Sequence, residues 1–85
     1  MIARKASVTL TDQFITAAHA FRLGHEAEGS QLLRECLDQL EPLLTELPHS
    51  EAIIQLLPHM LAAQERHDWL GLADYLEYEL KALLS

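Results

Sequence analysis

Residues that indicate disulfides or β-structure are scarce in this chain. It has a single cysteine, Cys36, among 85 residues, so it cannot form the intrachain disulfides that usually stabilise a secreted domain of this size. Strand-favouring Val, Ile and Thr are few, and most of them lie in the first 16 positions or at Ile53 and Ile54. We therefore expect an all-α protein of the reducing cytoplasm.

Long apolar runs and positive charge are also scarce. No segment approaches the ~20 consecutive apolar residues of a membrane span, and polar residues interrupt the stretch that should follow Arg4 and Lys5 in a signal peptide. Only 6 Lys and Arg stand against 13 Asp and Glu, which gives a net charge of -7; residues 35–85 carry a net charge of -8 and residues 1–34 a net charge of +1. Since phosphates would be repelled, we expect no nucleic-acid binding and no membrane insertion.

Leucine is abundant, with 18 of the 85 residues, and 49% of the chain is hydrophobic. Such a chain forms one domain and is too apolar for intrinsic disorder. A domain this small buries only about 60% of its unfolded surface. The leucine surplus therefore predicts burial against a second chain, most simply in a homodimer.

Capping and helix-breaking residues divide the chain. Thr11 is a candidate N-cap, Gly24 a candidate turn, Pro48 a helix break, and Ser50 the candidate N-cap of the helix that follows. Asp68 is a candidate N-cap of the last helix. We predict two antiparallel helical hairpins in one domain (11–85) after a flexible tail (1–10), with helices near 12–23, 26–46, 51–66 and 69–84.

Two local alternatives remain open. If Gly24 lies inside a helix, the first two helices fuse and the bundle has three helices. Pro58 should kink the third helix or split off its first turn. The apolar residues of that helix, which we expect to form its buried face, are Ile53, Ile54, Leu57, Met60 and Leu61.

The two halves of the chain are similar at an offset of 43 residues. Leu33 then aligns with Leu76 and Ala20 with Ala63, and the two predicted turns, at Gly24 and His67, coincide. Both an internal repeat and two ordinary amphipathic hairpins of equal period account for this pattern, and we favour the second.

Residues 20–42 resemble a tetratricopeptide-type helical hairpin. The resemblance lies in a glycine at the turn (Gly24), small residues where helices cross, and a proline (Pro42) after the second helix. The closing phrase DWLGLADYLEYEL resembles the end of small uncharacterised bacterial helical proteins. In size and acidity the chain is also similar to small helical chaperones of bacterial flagellar and secretion systems. These resemblances imply a helical fold and no particular activity.

Catalytic and cofactor motifs are not apparent. Cys36 lies on a leucine stripe, where an apolar setting makes a thiol inert, and the three glycines are too dispersed for a phosphate loop. No histidine pair has the spacing of a zinc site. We expect no enzyme activity and no cofactor. The alternative is a ligand- or metal-binding bundle in which four side chains converge: His19, His25, Glu28 and His59.

The sequence thus predicts a small interaction module, adaptor or chaperone-like, that binds a basic or amphipathic helical segment in an apolar groove with acidic flanks. Apolar rows on both hairpins, including Leu57, Leu61, Leu72, Leu76 and Leu80 of the second, would supply affinity. The predicted partner or dimer contacts are Phe14, Phe21, Leu33, Leu37, Leu40, Trp69, Tyr75 and Tyr78.

Overall fold

The computed structural model describes the backbone of residues 2–84 and the side chains of residues 10–84, and within that range it is all helical without strands. The four helices are α1, Ile2–Arg22; α2, Glu26–Leu40, extended by 3-10 turns at Glu41–Glu46; α3, Ser50–Glu65; and α4, residues 69–84, made of α-helical Trp69–Asp74, π-helical Tyr75–Leu80 and α-helical Lys81–Leu84. The predicted all-α fold of two antiparallel hairpins is confirmed.

Helix α1 lies at the centre of the packing. It packs along α2, its partner in the first hairpin, and along the whole length of α4. Helix α3 packs on α4 and on the 3-10 turns, whereas α2 and α3 do not approach each other closely. None of the helices in the described part of the chain has the length and apolar character that a membrane span requires.

The core is filled mainly by leucines and two phenylalanines. Phe14 and Phe21 of α1 are 1% and 2% exposed, and they lie where α2 and α4 meet α1. The other fully buried large side chains are Leu10, Leu33, Cys36, Leu40, Ile53, Met60, Leu72, Leu76 and Leu80.

The first hairpin turns at Gly24, as predicted, which excludes the three-helix alternative. Gly24 has a φ of 81°, a conformation that glycine adopts without steric cost. The amide of Gly24 donates to the carbonyl of Phe21 (3.1 Å) and the amide of His25 to that of Ala20 (2.9 Å). These two bonds define a Schellman motif, which satisfies the last carbonyls of α1.

The second hairpin uses the same motif 43 residues later. His67 has a φ of 59°, and its amide donates to the carbonyl of Gln64 (3.1 Å) while Asp68 donates to Ala63 (2.8 Å). The alignment of the two turns is therefore structural as well as sequential. The Asp68 side chain then accepts a hydrogen bond from the amide of Gly71 (3.1 Å), which confirms it as the N-cap of α4.

The predicted start of the first helix near residue 12 is wrong. Helix α1 begins at Ile2 and continues through Thr11, so Thr11 lies inside the helix and is not its N-cap. Residues 2–10, predicted as a flexible tail, are thus helical, and Met1 lies outside the described residues. The physical reason is that this segment contains no Gly or Pro to end a helix, while the buried Leu10 continues the core-facing stripe of Phe14.

The predicted buried face of α3 is partly wrong. The side chains that point into the core are Ile53, Leu56, Met60 and Ala63, while Ile54 and Leu61 are 52% and 51% exposed. Among the helices, α3 packs mainly on α4, so one narrow stripe suffices for its burial and a second apolar stripe is left outside.

Pro58 does not split α3, which is continuous from Ser50 to Glu65. Proline removes one amide donor, and the carbonyl that loses it is that of Ile54, one turn earlier. Because Ile54 is largely exposed, water can satisfy this carbonyl. The cost of the proline is thereby reduced and the helix persists.

Close approach of α1 and α2 depends on Gly29. A Cβ at this position would lie 2.8 Å from two ring carbons of Phe21, well inside van der Waals contact. The Phe21 ring in turn stacks on Trp69 with centroids 5.3 Å apart and planes within 4°. Trp69 also stacks on His67 at 5.3 Å. This aromatic stack joins the ends of the two hairpins where their turns lie.

Candidate functional site

An apolar groove separates α2 from α3 and is the main candidate site. One wall comes from α2 and the 3-10 turns, and the other from α3. The groove has a volume of about 350 Å³ and is lined by Leu33, Leu37, Leu40, Glu41, Leu44, Ile54, Leu57, Met60 and Leu61. Eight of these nine side chains are apolar, and Glu41 is the single charged one.

The groove has a closed floor and an open rim. Leu33, Leu40 and Met60 form the floor, and each is 1% exposed. Leu37, Leu44 and Leu57 are half-buried on the walls. At the rim, Ile54 and Leu61 expose about half of their side chains. Apolar surface of this kind, gathered in one concave strip, is typical of interaction sites rather than of scattered surface residues.

The sequence pattern explains why the groove forms. On α2 and the turn after it, Leu33, Leu37, Leu40 and Leu44 follow one another at spacings of four, three and four residues, which places them along a single helix face. On α3, residues 54, 57 and 61 form a similar row beside the core-facing row. These two rows face each other across the gap between helices that do not pack closely.

The groove continues toward the start of α2 into a more polar space. Its lining there includes Ser30, Gln31, Arg34, Glu35, Asp38 and Gln64, together with Leu33, Leu37 and Leu61 of the apolar part. Gln64 donates to the Ser30 hydroxyl across the gap at 3.4 Å. The site is thus an apolar strip with a carboxylate-bearing border along α2.

Five of the predicted partner or dimer contacts belong to the first hairpin, and four of these five are buried in the core. Phe14, Phe21, Leu33 and Leu40 are at most 2% exposed, so their prediction as partner contacts is corrected: they form the interior, and only Leu33 and Leu40 reach the groove, as part of its floor. Leu37 is half-buried and lines the groove directly. Leu72, Leu76 and Leu80 of the second predicted apolar row are entirely buried in the core.

The three predicted aromatic contacts on α4 lie away from the groove. Trp69 and Tyr75 are half-buried against the core, and Tyr78 is 62% exposed. The Arg22 guanidinium lies over the Tyr78 ring, 5.9 Å from its centroid. A hydrogen bond with Glu77 raises the pKa of the Tyr78 hydroxyl above its usual value. Tyr78 therefore belongs to a polar network rather than to an apolar contact surface.

That polar network joins the end of α1 to the middle of α4, where its α-helical part meets its π-helical part. Arg22 pairs with Asp74 (Nη2 to Oδ1, 2.8 Å) and more weakly with Glu77 (3.5 Å). His19 Nε2 lies 3.2 Å from the other Glu77 oxygen. The carboxylates and the guanidinium are thus used in pairing with one another, and the network ties two packed helices together at the surface.

The predicted alternative is a ligand or metal site in which His19, His25, Glu28 and His59 converge. His19 pairs with Glu77, and His25 Nδ1 pairs with Glu28 at 3.5 Å within one helical turn. Among the residues whose side chains are described, no three His, Cys, Asp or Glu side chains lie close enough together to hold a metal ion. The described side chains therefore give no support to a metal site at these four residues.

Cys36 is placed on the inner face of α2 and is 2% exposed. Burial, and secondarily the charge of Glu35, raises the pKa of its thiol to about 11. A thiol with so high a pKa is almost entirely protonated near neutral pH, so it is a weak nucleophile. Its position accords with a packing role.

Sequence reasoning did not assign Glu41, Leu44 or Ile54 to the groove. Ile54 was expected to be buried in the core. The available signal was the width of the apolar arc on α3, where residues 53, 56, 60 and 63 form one row and 54, 57 and 61 a second. One row would serve the core, so the second indicates another contact.

Comparisons of the chain with known protein families, with curated proteins and with solved structures found no match. The candidate function is therefore argued from the groove itself.

Proposed function

We propose that this chain is a non-enzymatic, adaptor- or chaperone-like interaction module of the cytoplasm that binds a helical segment of another protein in the groove between α2 and α3. The observation that carries the proposal is the groove's composition. It gathers five apolar side chains that the fold leaves partly or largely uncovered, namely Leu37, Leu44, Ile54, Leu57 and Leu61.

These side chains stand out against a core that is otherwise well closed. Nine of the 18 leucines are buried, at no more than 8% exposure. The fold thus buries half of its leucines within one chain. Of the largely exposed apolar side chains, Ile54 and Leu61 lie together in the groove, whereas Leu23 and Leu70 lie outside it. Covering a half-exposed leucine or isoleucine in the groove stabilises a complex by roughly 1 kcal/mol.

The shape of the groove suits a helix. Its walls are two helices, and its lining residues repeat at helical spacing along both. An amphipathic helix laid in such a groove presents its own apolar row at spacings of three and four residues, as in the helix-in-groove mode of recognition. The bound helix would complete the packing that α2 and α3 do not make with each other.

A titration with a defined probe tests the proposal. The probe is a synthetic amphipathic helical peptide with one leucine row, added to isotopically labelled protein and followed by backbone amide NMR shifts. We expect the shifts to concentrate on α2, on the 3-10 turns and on α3, because these elements line the groove.

Two matched leucine variants sharpen the test. Leu61 and Leu70 are both exposed, at 51% and 62%, but only Leu61 lines the groove. Leu61→Ser should weaken peptide binding by about five- to tenfold, corresponding to roughly 1 kcal/mol, and Leu70→Ser should leave it unchanged. Shifts confined to α1 and α4, or equal weakening by both variants, would contradict the proposed site.

A further inference from the structure

Charge is distributed unevenly with respect to the groove. Residues 26–65, which comprise both groove walls, contain eight Asp and Glu and one Arg, a net charge of -7. The rest of the chain contains five acidic and five basic residues and is neutral. The whole net charge of the protein therefore resides on the half of the molecule that holds the groove.

We infer that the groove selects a basic amphipathic helix, with Lys or Arg beside its apolar row. This inference rests on the proposed function.

The carboxylates nearest the groove form a row. Glu35, Asp38 and Glu41 follow one another at three-residue spacing on α2 and its extension, all exposed, and each lines the groove or its polar continuation. At 1.5 Å per residue the row extends about 9 Å along the helix. Basic residues on successive turns of a bound helix would meet this row, with Arg34 the one cation along it.

The opposite wall contributes apolar surface beside this row. Ile54 lines the groove and is 52% exposed. Lys and Arg carry their donors on long stems that also cover apolar surface, so a basic side chain of a bound helix can pack on Ile54 while its charged end meets the carboxylates.

A second copy of the chain fits the groove less well. Pairing two copies through it would place two halves of charge -7 against each other, and like charges oppose such contact. The chain also needs no second copy to be compact. Its accessible surface of 5403 Å² is near the roughly 5100 Å² expected for a folded monomer of 9.6 kDa. The occupant is accordingly a basic partner segment.

A pair of peptides with identical leucine rows tests the inference. One carries Lys at the flanking positions and the other Glu, and binding is measured by fluorescence anisotropy. We expect the Lys peptide to bind at least tenfold more tightly. Raising NaCl from about 50 to about 500 mM should remove most of that difference, since exposed charges are screened.

Charge-reversal variants localise the effect. The double variant Asp38→Lys/Glu41→Lys should weaken binding of the Lys peptide by about tenfold, because two exposed attractions become repulsions. Glu79→Lys is the matched control: Glu79 is exposed on α4, outside the groove, and its reversal should change affinity less than about twofold. Circular dichroism of each variant checks that the fold is intact.

The outcomes separate the inference from the proposed function. Equal binding of the two peptides at the groove would overturn the basic partner and leave the interaction module standing. Binding of neither peptide would overturn both. A homodimer seen by sedimentation that Leu61→Ser converts to monomer would overturn the inference in favour of a second copy.

Discussion

The turn at His67 offers a sharp test of the backbone energetics of this fold. His67 adopts a left-handed conformation, φ 59°, at the position where the first hairpin has Gly24, φ 81°. For a residue with a Cβ this conformation costs roughly 1–2 kcal/mol, from which the greater unfolded-state entropy of glycine removes about 0.4–1 kcal/mol. His67→Gly should therefore be more stable than His67→Ala by about 1 kcal/mol.

Comparing the two variants with each other isolates the backbone term. Both remove the stack of His67 on Trp69, an interaction of about 0.5–1.5 kcal/mol, so its loss cancels in the difference. At Gly24 a new Cβ would meet nothing within 4 Å. Gly24→Ala should consequently destabilise the protein by the same amount, about 1 kcal/mol.

Urea denaturation followed by far-UV circular dichroism measures these differences, and thermal melts should separate the paired variants by about 4–8 °C. The two turns share their hydrogen-bond pattern, so the two measured differences should agree within about 0.5 kcal/mol. If His67→Gly proved no more stable than His67→Ala, or Gly24→Ala proved neutral, the left-handed conformation would not be the cause and the reasoning would fail.

Three further outcomes are expected. Gly29→Ala should lower the free energy of unfolding by about 1 kcal/mol. The clash of the new methyl group with the buried Phe21 ring costs about 1–3 kcal/mol, which exceeds the gain of about 1 kcal/mol in helix propensity. An increase in stability would show that the ring can move. Asp68→Ala should lower the free energy of unfolding by about 1 kcal/mol, because the hydrogen bond from the Gly71 amide to the capping side chain is lost. Asp68→Asn should keep most of that stability, because asparagine also caps helices well. With a thiol pKa of about 11, Cys36 should be only ~0.1% thiolate at about pH 8. A disulfide reagent should therefore label Cys36 in the folded protein at least 100-fold more slowly than in the protein unfolded in urea. Fast labelling of the folded protein would contradict the burial of Cys36.

The helix pattern was largely accessible from local chemistry. Gly24 as a turn, Pro48 as a break and Asp68 as a cap act within a few residues of their own position, so the sequence predicts them correctly. The predicted cap at Ser50 is wrong: Ser50 is the first residue of α3, and His49 holds the cap position without a side-chain hydrogen bond. The start of α1 was not accessible, because Thr11 has the chemistry of a cap and its use depends on whether the preceding residues find a helical partner.

The candidate site was predicted correctly as a kind of surface and only partly in its residues. Of the predicted residues, those that line the groove are Leu33, Leu37, Leu40, Leu57 and Leu61. An apolar groove with acidic flanks follows from excess leucine and from charge confined to one part of the chain. Phe14, Phe21, Leu33 and Leu40 were assigned to it because a sequence shows that a residue is apolar and cannot show whether its own chain covers it. Ile54 was assigned to the core for the same reason, and Leu61 was assigned both to the buried face of its helix and to the row that supplies affinity.

The sequence by itself determined the helices, their turns and the location of the net charge, since propensity, capping and ionisation are local properties of residues. The tertiary structure alone decided which apolar rows became core. It placed α1 between α2 and α4 and left α2 and α3 apart. The rows on those two helices consequently face a gap, and Glu35, Asp38 and Glu41 border it because they lie on α2 and its extension.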